Sequence, residues 1–328
     1  MSEKYSEQVL ELEKTWLENT WAFRNRDSEP KNVLISSSGG RTSEMMRAKM
    51  LADPIWNRHN LKSVFANTSR EYPETLDFVK QCDEAYPPGR IWIEAVVNPK
   101  IGIGNTYRVV THRTAKRNGE VFEDVIKKHG IMNQSFPSCT RDLKTVIINK
   151  CAKDIFNGQP YVTAIGMRFD EIRRVKRSES FVYPMVDWEI TVDDVRSFWN
   201  QQPFDLMLKD YEGNCDGCWK KSLRKLLTIA KERPGTFDWW GRMEKTYGML
   251  QVDGRKENKG QVFFRKNMSA SDIVKMAKLP FVPVTDHWFV ESKDMDTEEA
   301  CSCMHSIDQA DPEDDEFHQT LEAKEATP

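Results

Sequence analysis

The sequence has no apolar run long enough to cross a membrane, and no internal repeat. Its first residues, MSEKYSEQVLELEK, are charged and lack the apolar core of a secretory signal. Hydrophobic residues make up 39% of the chain and charged residues 30%, a balance typical of globular proteins. These absences exclude a membrane protein and predict a cytoplasmic one.

The sequence has little net charge, −3 over 328 residues, and that charge is unevenly distributed. Residues 306–328 carry eight acidic side chains and one basic side chain, a net charge of −7. The other residues therefore sum to +4, because −3 minus −7 is +4. We expect a disordered acidic tail over 306–328 and a mildly basic body that suits a polyanionic ligand.

The number of cysteines is odd, which argues against a scaffold of disulfide bonds in a reducing compartment. The seven are Cys82, Cys139, Cys151, Cys215, Cys218, Cys301 and Cys303. Cys82 and Cys151 fall on helical faces and are predicted to be ordinary buried thiols. Cys215 and Cys218 form a C-x-x-C pair, the spacing at which two thiolates can ligate one metal or cluster.

The most informative segment is 31–43, which reads KNVLISSSGGRTS. It contains neither the G-x-x-x-x-G-K-[ST] loop nor G-x-G-x-x-G, yet it predicts a strand, a small-residue turn and a helix. Helix N-termini favour anions, so the turn is a candidate site for nucleotide phosphates, although an ordinary Gly-Gly turn is the alternative. The candidate residues are Ser36, Ser38, Gly39, Gly40, Arg41, Thr42 and Ser43.

Strands alternate with helices through the first half of the chain, which predicts an α/β fold with a doubly wound parallel sheet. The predicted strands are 31–36, 63–66, 91–97 and 161–165, and the helices between them are 43–52, 73–82, 120–129 and 141–156. After Pro184 the pattern becomes mainly helical, with helices predicted at 191–199, 204–211 and 219–233. We expect an N-terminal amphipathic helix (1–30), a nucleotide-binding domain (31–185), a helical and irregular region with cysteines (186–305) and the tail (306–328).

Polar residues follow two of the predicted strands. They are Asn67, Thr68 and Glu71 after the second, and Gly166, Arg168, Glu171 and Arg174 after the fourth. In a parallel sheet, ligands bind at the carboxyl ends of the strands, where these residues would join the turn. Arg168 and Arg174 can grip phosphate, and the acidic pair Asp170 and Glu171 can bind a metal or pair with those arginines. Capped or solvated helix starts are the alternatives.

Four segments in this order resemble the phosphoadenosine phosphosulfate (PAPS) reductase family of the PP-loop, or adenine-nucleotide α-hydrolase-like, superfamily. They are SSGGRTS, NTSREYPETLDFV, SCTRDLK and IGMRFDEIRR, and the match covers about residues 31–222. The superfamily loop is usually SGGKDS; Arg41 keeps the positive charge of its lysine, and Thr42 replaces its aspartate. The resemblance implies a Rossmann-like sheet that binds ATP or another adenine nucleotide, with or without Mg²⁺.

The cysteine spacing is similar to that of the adenylyl-sulfate reductases, in which two cysteine pairs hold a [4Fe–4S] cluster. That resemblance implies Cys139, Cys215 and Cys218 as ligands, with Thr140 in place of a fourth. Either Cys301 or Cys303 completes the set, or one iron stays open. Zinc on the same thiolates, or no metal at all, is the alternative.

Sulfonucleotide reductases also use a C-terminal nucleophilic cysteine. By resemblance this implies Cys303 as the catalytic thiol, with Arg168 as a catalytic arginine. We therefore expect sulfur transfer or sulfonucleotide reduction. One alternative is an ATP pyrophosphatase that adenylates a nucleic acid for thiolation or phosphorothioation, and another is a non-catalytic regulator that binds nucleotide and zinc. The expected partners are an adenine nucleotide and a nucleic acid or sulfur carrier, and no membrane.

Overall fold

The computed structural model describes residues 20–286, except residues 26, 135, 176, 177 and 253–259. Several predictions therefore lie outside the described residues: most of the N-terminal helix, Cys301, Cys303 and the acidic tail. Within the described ranges, no helix is long and apolar enough to cross a membrane.

The described part of the chain forms a six-stranded, mostly parallel sheet with the strand order β4-β3-β2-β1-β5-β6. The strands are β1 (Asn32–Ser37), β2 (Asn60–Asn67), β3 (Ile91–Val96), β4 (Thr106–Val110), β5 (Tyr161–Ile165) and β6 (Phe181–Val182). The four predicted strands are confirmed. The prediction missed β6, which has two residues, and β4, which is the antiparallel edge strand and is largely exposed. Neither has the buried apolar run on which the prediction relied.

Twelve α-helices surround or follow these strands in the described ranges. They are α1 (Trp21–Asn25), α2 (Arg41–Ala52), α3 (Pro54–Asn57), α4 (Pro73–Ala85), α5 (Glu120–His129), α6 (Ser138–Thr140), α7 (Val146–Ile155), α8 (Pro184–Asp187), α9 (Val192–Asn200), α10 (Leu223–Glu232), α11 (Asp238–Tyr247) and α12 (Ala270–Met276). A π-helical turn, Arg141–Thr145, lies between α6 and α7, and 3-10 turns lie at Phe169–Arg174 and Arg265–Asn267.

The helix boundaries follow the cap signals. Thr191 caps α9, where its hydroxyl accepts a hydrogen bond from Asp194 N, and Ser222 caps α10 through Lys225 N. The helix predicted at 204–211 is wrong, because that segment is irregular. The Arg41 side chain binds two of its main-chain carbonyl groups, those of Leu206 and Leu208, and thereby replaces helical hydrogen bonding there.

The sheet is covered on both faces, as a doubly wound fold requires. Alternate residues of β1 face opposite sides, so that Leu34 lies in one apolar core while Val33 and Ile35 lie in the other. The Leu34 core extends to Leu227 of α10 and Trp240 of α11. The C-terminal helices therefore pack on one face of the sheet rather than forming a separate core.

The half-buried Asp187 of α8 makes stability depend on pH. Burial raises its pKa to about 6, and Arg24 only partly opposes the shift. Because the folded chain holds this proton more tightly than the unfolded chain, wild-type stability falls as pH rises from 3.8 to about 6. We expect Asp187→Asn to be more stable than wild type by up to about 2 kcal/mol at neutral pH, and by nothing at a pH of about 3.

Urea unfolding of both proteins across that pH range tests this prediction. Asp193→Asn on α9 is the matched control, since the Asp193 side chain is 66% exposed and its ion pair with Arg196 is a surface contact that contributes little. A difference between Asp187→Asn and wild type that is the same at every pH would contradict the assignment.

Candidate nucleotide site

The turn between β1 and α2 is held in place by close packing. Gly39 has a φ of +81°, and a Cβ atom there would lie 3.0 Å from the side chains of Phe65, Thr75 and Val79. Only glycine fits this position without displacing the core beneath it. The first turn of α2 follows directly, so its main-chain N–H groups, which have no intrahelical acceptor, stand at the carboxyl end of β1.

The hydroxyl groups of Ser38 and Ser43 form hydrogen bonds within the turn. Ser38 N donates to Ser43 Oγ at 3.2 Å, and the two Oγ atoms lie 3.0 Å apart. Ser43 Oγ also donates to Gly40 O at 3.0 Å. Ser38, Gly39, Gly40 and Ser43 therefore come together as the sequence suggested. Thr42 is buried in the first turn of α2.

Arg41 and Ser36 differ from these residues in their placement. The Arg41 guanidinium is buried and forms a two-pronged pair with Asp205, with Nε to Oδ1 at 2.8 Å and Nη2 to Oδ2 at 2.9 Å. It therefore anchors the 205–208 segment to α2, a role that sequence reasoning did not foresee. Ser36 is half-buried within β1, one residue before the last of that strand.

The second predicted segment forms the turn after β2. Asn67 donates from Nδ2 to Glu94 Oε1 at 2.7 Å and to Lys116 O at 2.8 Å, and its Oδ1 accepts from Ser69 N. Its amide thus shapes the turn. Thr68 binds Glu71 twice, from N to Oε2 at 2.9 Å and from Oγ1 to Oε1 at 2.8 Å.

Glu71 is the buried acid of this site. Burial raises its pKa, and nearby Lys144 together with the Thr68 hydrogen bonds partly offsets that shift. Lys144 lies in the π-helical turn of the third predicted segment, 138–144. The third segment therefore comes close to the second, although their residues are far apart in sequence.

The fourth predicted segment meets the turn at the end of β5. A Cβ atom at Gly166 would lie 2.9 Å from Ser43 Cα, so the two main chains approach closely there. Arg168 pairs with Asp170 at 2.8 Å, and Arg174 pairs with Glu171. Pairing with the arginines, one of the two roles considered for Asp170 and Glu171, is present in the structure.

Residues 214–218, which we call the cysteine strap, run antiparallel to residues 70–72. Tyr72 N donates to Asn214 O at 3.0 Å, and Asp216 N donates to Arg70 O at 2.9 Å. The Arg70 side chain pairs with Asp216 and lies over the Trp239 ring at 4.6 Å. The strap is therefore fixed against the turn after β2.

Gly217 lies near the C-terminal end of the strap. It has a φ of +49°, and a Cβ atom there would lie 2.4 Å from Trp240 Nε1. A side chain at this position would collide with the indole ring, so the close approach of the strap to α11 requires glycine.

The strap brings a thiol and an amide to the two turns. Cys215 Sγ lies 3.8 Å from Glu71 Oε1 and 3.9 Å from Thr68 Oγ1. Asn214 Nδ2 donates to the main-chain carbonyl of Ser38 at 2.9 Å. Sequence reasoning missed Asn214, although its place directly before the C-x-x-C pair was a signal that it shares the site of that pair.

The remaining cysteines divide into two kinds. Cys82 and Cys151 are buried, as predicted, and burial raises the pKa of both thiols, that of Cys151 to about 11. Cys139 lies in α6 and packs against the large core, and Lys220 Nζ reaches neighbouring Thr140 Oγ1 at 3.3 Å. In the part of the chain that the structure describes, no three His, Cys, Asp or Glu side chains are grouped to hold a metal ion.

A buried ion pair lies beneath the turn. Arg90 binds both carboxylate oxygens of Glu44 at 2.5 Å, and both side chains are fully buried. Arg90 also donates to Ser37 Oγ at 2.5 Å and to Asp83 at 2.7 Å. These bonds join the end of β1, the first turn of α2 and the residue before β3.

Breaking this pair from one side leaves an isolated buried charge. We expect Arg90→Met to lower the free energy of unfolding by about 3–5 kcal/mol. Replacing both partners, Arg90→Met with Glu44→Met, should cost less than Arg90→Met alone, because the Glu44 carboxylate is then no longer stranded in the core. Urea unfolding measures both, with Arg113→Met at an exposed position as the matched control. Equal losses in Arg90→Met and Arg113→Met would refute this account of the pair.

Comparison with known proteins finds a relative that shares most of its length with this chain. No family model matches it. An uncharacterized nin region protein of Escherichia phage lambda, ORF290, is 31% identical over 250 residues, which cover 74% of this chain and 84% of that protein. The chain therefore belongs to the family of this phage lambda nin region protein.

Proposed function

We propose that the protein binds an adenine nucleotide at the turn after β1 and performs sulfur chemistry on it with the thiols beside that turn. The chemistry is sulfur transfer or reduction of a sulfonucleotide, as the resemblance to the PAPS reductase family implies. The observation that supports this proposal is the contact of the cysteine strap with both turns, through Asn214 and Ser38 and through Cys215 and Glu71.

The phosphate contacts come from main-chain and hydroxyl groups in this proposal. Arg41 and Arg168, both expected to grip phosphate, are each paired with a carboxylate in the structure. The N–H groups of the first turn of α2, together with the hydroxyls of Ser38 and Ser43, can take their place. Lys144, close to Glu71, supplies positive charge at the same edge of the sheet.

A thiolate-bound [4Fe–4S] cluster or zinc ion remains part of the proposal. Cys215 lies beside the candidate nucleotide site, while the described cysteines form no complete ligand group. The set that the resemblance implies is Cys139, Cys215 and Cys218 with Cys301 or Cys303, the last two outside the described residues. Bound there, a cluster would supply electrons or a sulfur-accepting iron, whereas zinc would be structural.

Hydroxyl removal at the turn tests nucleotide binding. We expect Ser38→Ala and Ser43→Ala each to weaken ATP binding about ten-fold, because each removes a hydrogen bond to a charged group. Isothermal titration calorimetry measures the affinities. Ser197→Ala is the matched control, since Ser197 is exposed on α9. Unchanged affinity in both turn variants, or absent ATP binding in wild type, would contradict the proposal.

Metal content tests the role of the thiols. We expect anaerobically purified protein to hold about four irons with sulfide per chain, and Cys215→Ser and Cys218→Ser each to lose them. Cys151→Ala is the matched control, because Cys151 is a buried core thiol. One zinc and no iron would contradict cluster chemistry, and a cluster kept in both strap variants would contradict this ligand set.

The reaction products distinguish the three functions considered: a reductase, an adenylating enzyme and a non-catalytic regulator. Release of sulfite from a sulfonucleotide, with an added dithiol supplying the two electrons, supports the reductase. Release of pyrophosphate from ATP points instead to the adenylating alternative. Tight nucleotide binding without either product points to the regulator.

A further inference from the structure

The side chain of Asn214 links the cysteine strap directly to the turn between β1 and α2. Its Nδ2 donates to Ser38 O at 2.9 Å, and the residue is 8% exposed. A Cβ atom at Gly40 would lie 3.2 Å from its Oδ1, so the amide also packs against the second glycine of the turn. The Asn214 amide therefore contacts Ser38 and Gly40, the two turn residues that a bound phosphate would approach.

The main chain of Asn214 belongs to the other turn. Its carbonyl accepts from Tyr72 N at 3.0 Å, and the next residue, Cys215, pairs with Glu71 in an antiparallel bridge. Two residues on, the pair between Arg70 and Asp216 fixes the strap. Asn214 therefore contacts one turn through its side chain and the other through its main chain, and Cys215 is the next residue along the strap.

We infer that Asn214 is a positioning residue that couples nucleotide occupancy of the turn to the order of the cysteine strap. The inference rests on the proposed nucleotide site. A ligand that tightens the turn holds the Ser38 carbonyl and Gly40 in place, and the amide then holds Cys215 beside Glu71. By linkage, the ordered strap raises the affinity for nucleotide by the same factor.

Hydrogen exchange of the full-length chain, followed by mass spectrometry, measures this coupling. ATP is the probe, at about ten times the Kd found by calorimetry for each variant, so that every variant is equally saturated. We expect ATP to slow exchange in peptides that cover the strap at least about five-fold in wild type, and less than about two-fold in Asn214→Ala. This readout does not depend on whether the thiols hold a metal.

Two further variants test whether the effect is specific to the contact between Asn214 and the turn. Gly40→Ala keeps Asn214 but pushes its amide away from the turn, and is expected to reduce the ATP effect as Asn214→Ala does. Asn200→Ala, at an exposed position on α9, makes the same change as Asn214→Ala elsewhere and should leave the ATP effect intact.

The outcomes are distinguishable. Equal slowing of strap exchange in wild type and Asn214→Ala would overturn the role of Asn214. ATP binding to wild type with no change in strap exchange would overturn the coupling and leave the proposed nucleotide site standing. Absent ATP binding in wild type would overturn both.

Discussion

The buried pair between Arg90 and Glu44 is the constraint on which the candidate site depends. Its two short bonds hold the first turn of α2 in register with the residue before β3, while Ser37 ties the end of β1 to the same guanidinium. Desolvation of two charges is costly, so a buried pair adds little to stability by itself. What it does supply is a fixed position, because Arg90 cannot leave without stranding the buried Glu44 carboxylate.

The turn between β1 and α2 lies next to this fixed base, and the cysteine strap contacts the turn. Gly39 packs onto Phe65, Thr75 and Val79, and above it Asn214 binds Ser38 O. The turn after β2 completes the arrangement through Glu71, whose carboxyl contacts Cys215. Two of the strap's contacts thus lead back to elements at the carboxyl ends of β1 and β2, where parallel sheets bind their ligands.

Much of the fold was predictable because its signals are local. Buried β-branched runs predicted β1 and β5, and Thr191 marked the start of α9. β4 was missed because an exposed edge strand lacks the apolar run of a central strand. The helix expected at 204–211 is absent because the distant Arg41 takes its carbonyl groups, a contact that no local pattern encodes.

The candidate site shows the same division. The strand–turn–helix pattern predicted the Gly-Gly turn and its serines. It could not predict the pairing of Arg41 with Asp205 or the hydrogen bond from Asn214 to Ser38, because each joins residues more than 160 positions apart. Asp170 and Glu171 pair with arginines, a choice that charge alone did not decide. The likeness to the phage lambda nin region protein places the chain in a family, and the chemistry has to be argued from these contacts.

The central claim is that nucleotide phosphates bind at the first turn of α2. A crystal structure of the full chain soaked with ATP tests it most directly. The account predicts phosphate oxygens about 3 Å from the N–H groups and hydroxyls of the 38–43 turn. Nucleotide density at any other place, with that turn filled only by water, would contradict it.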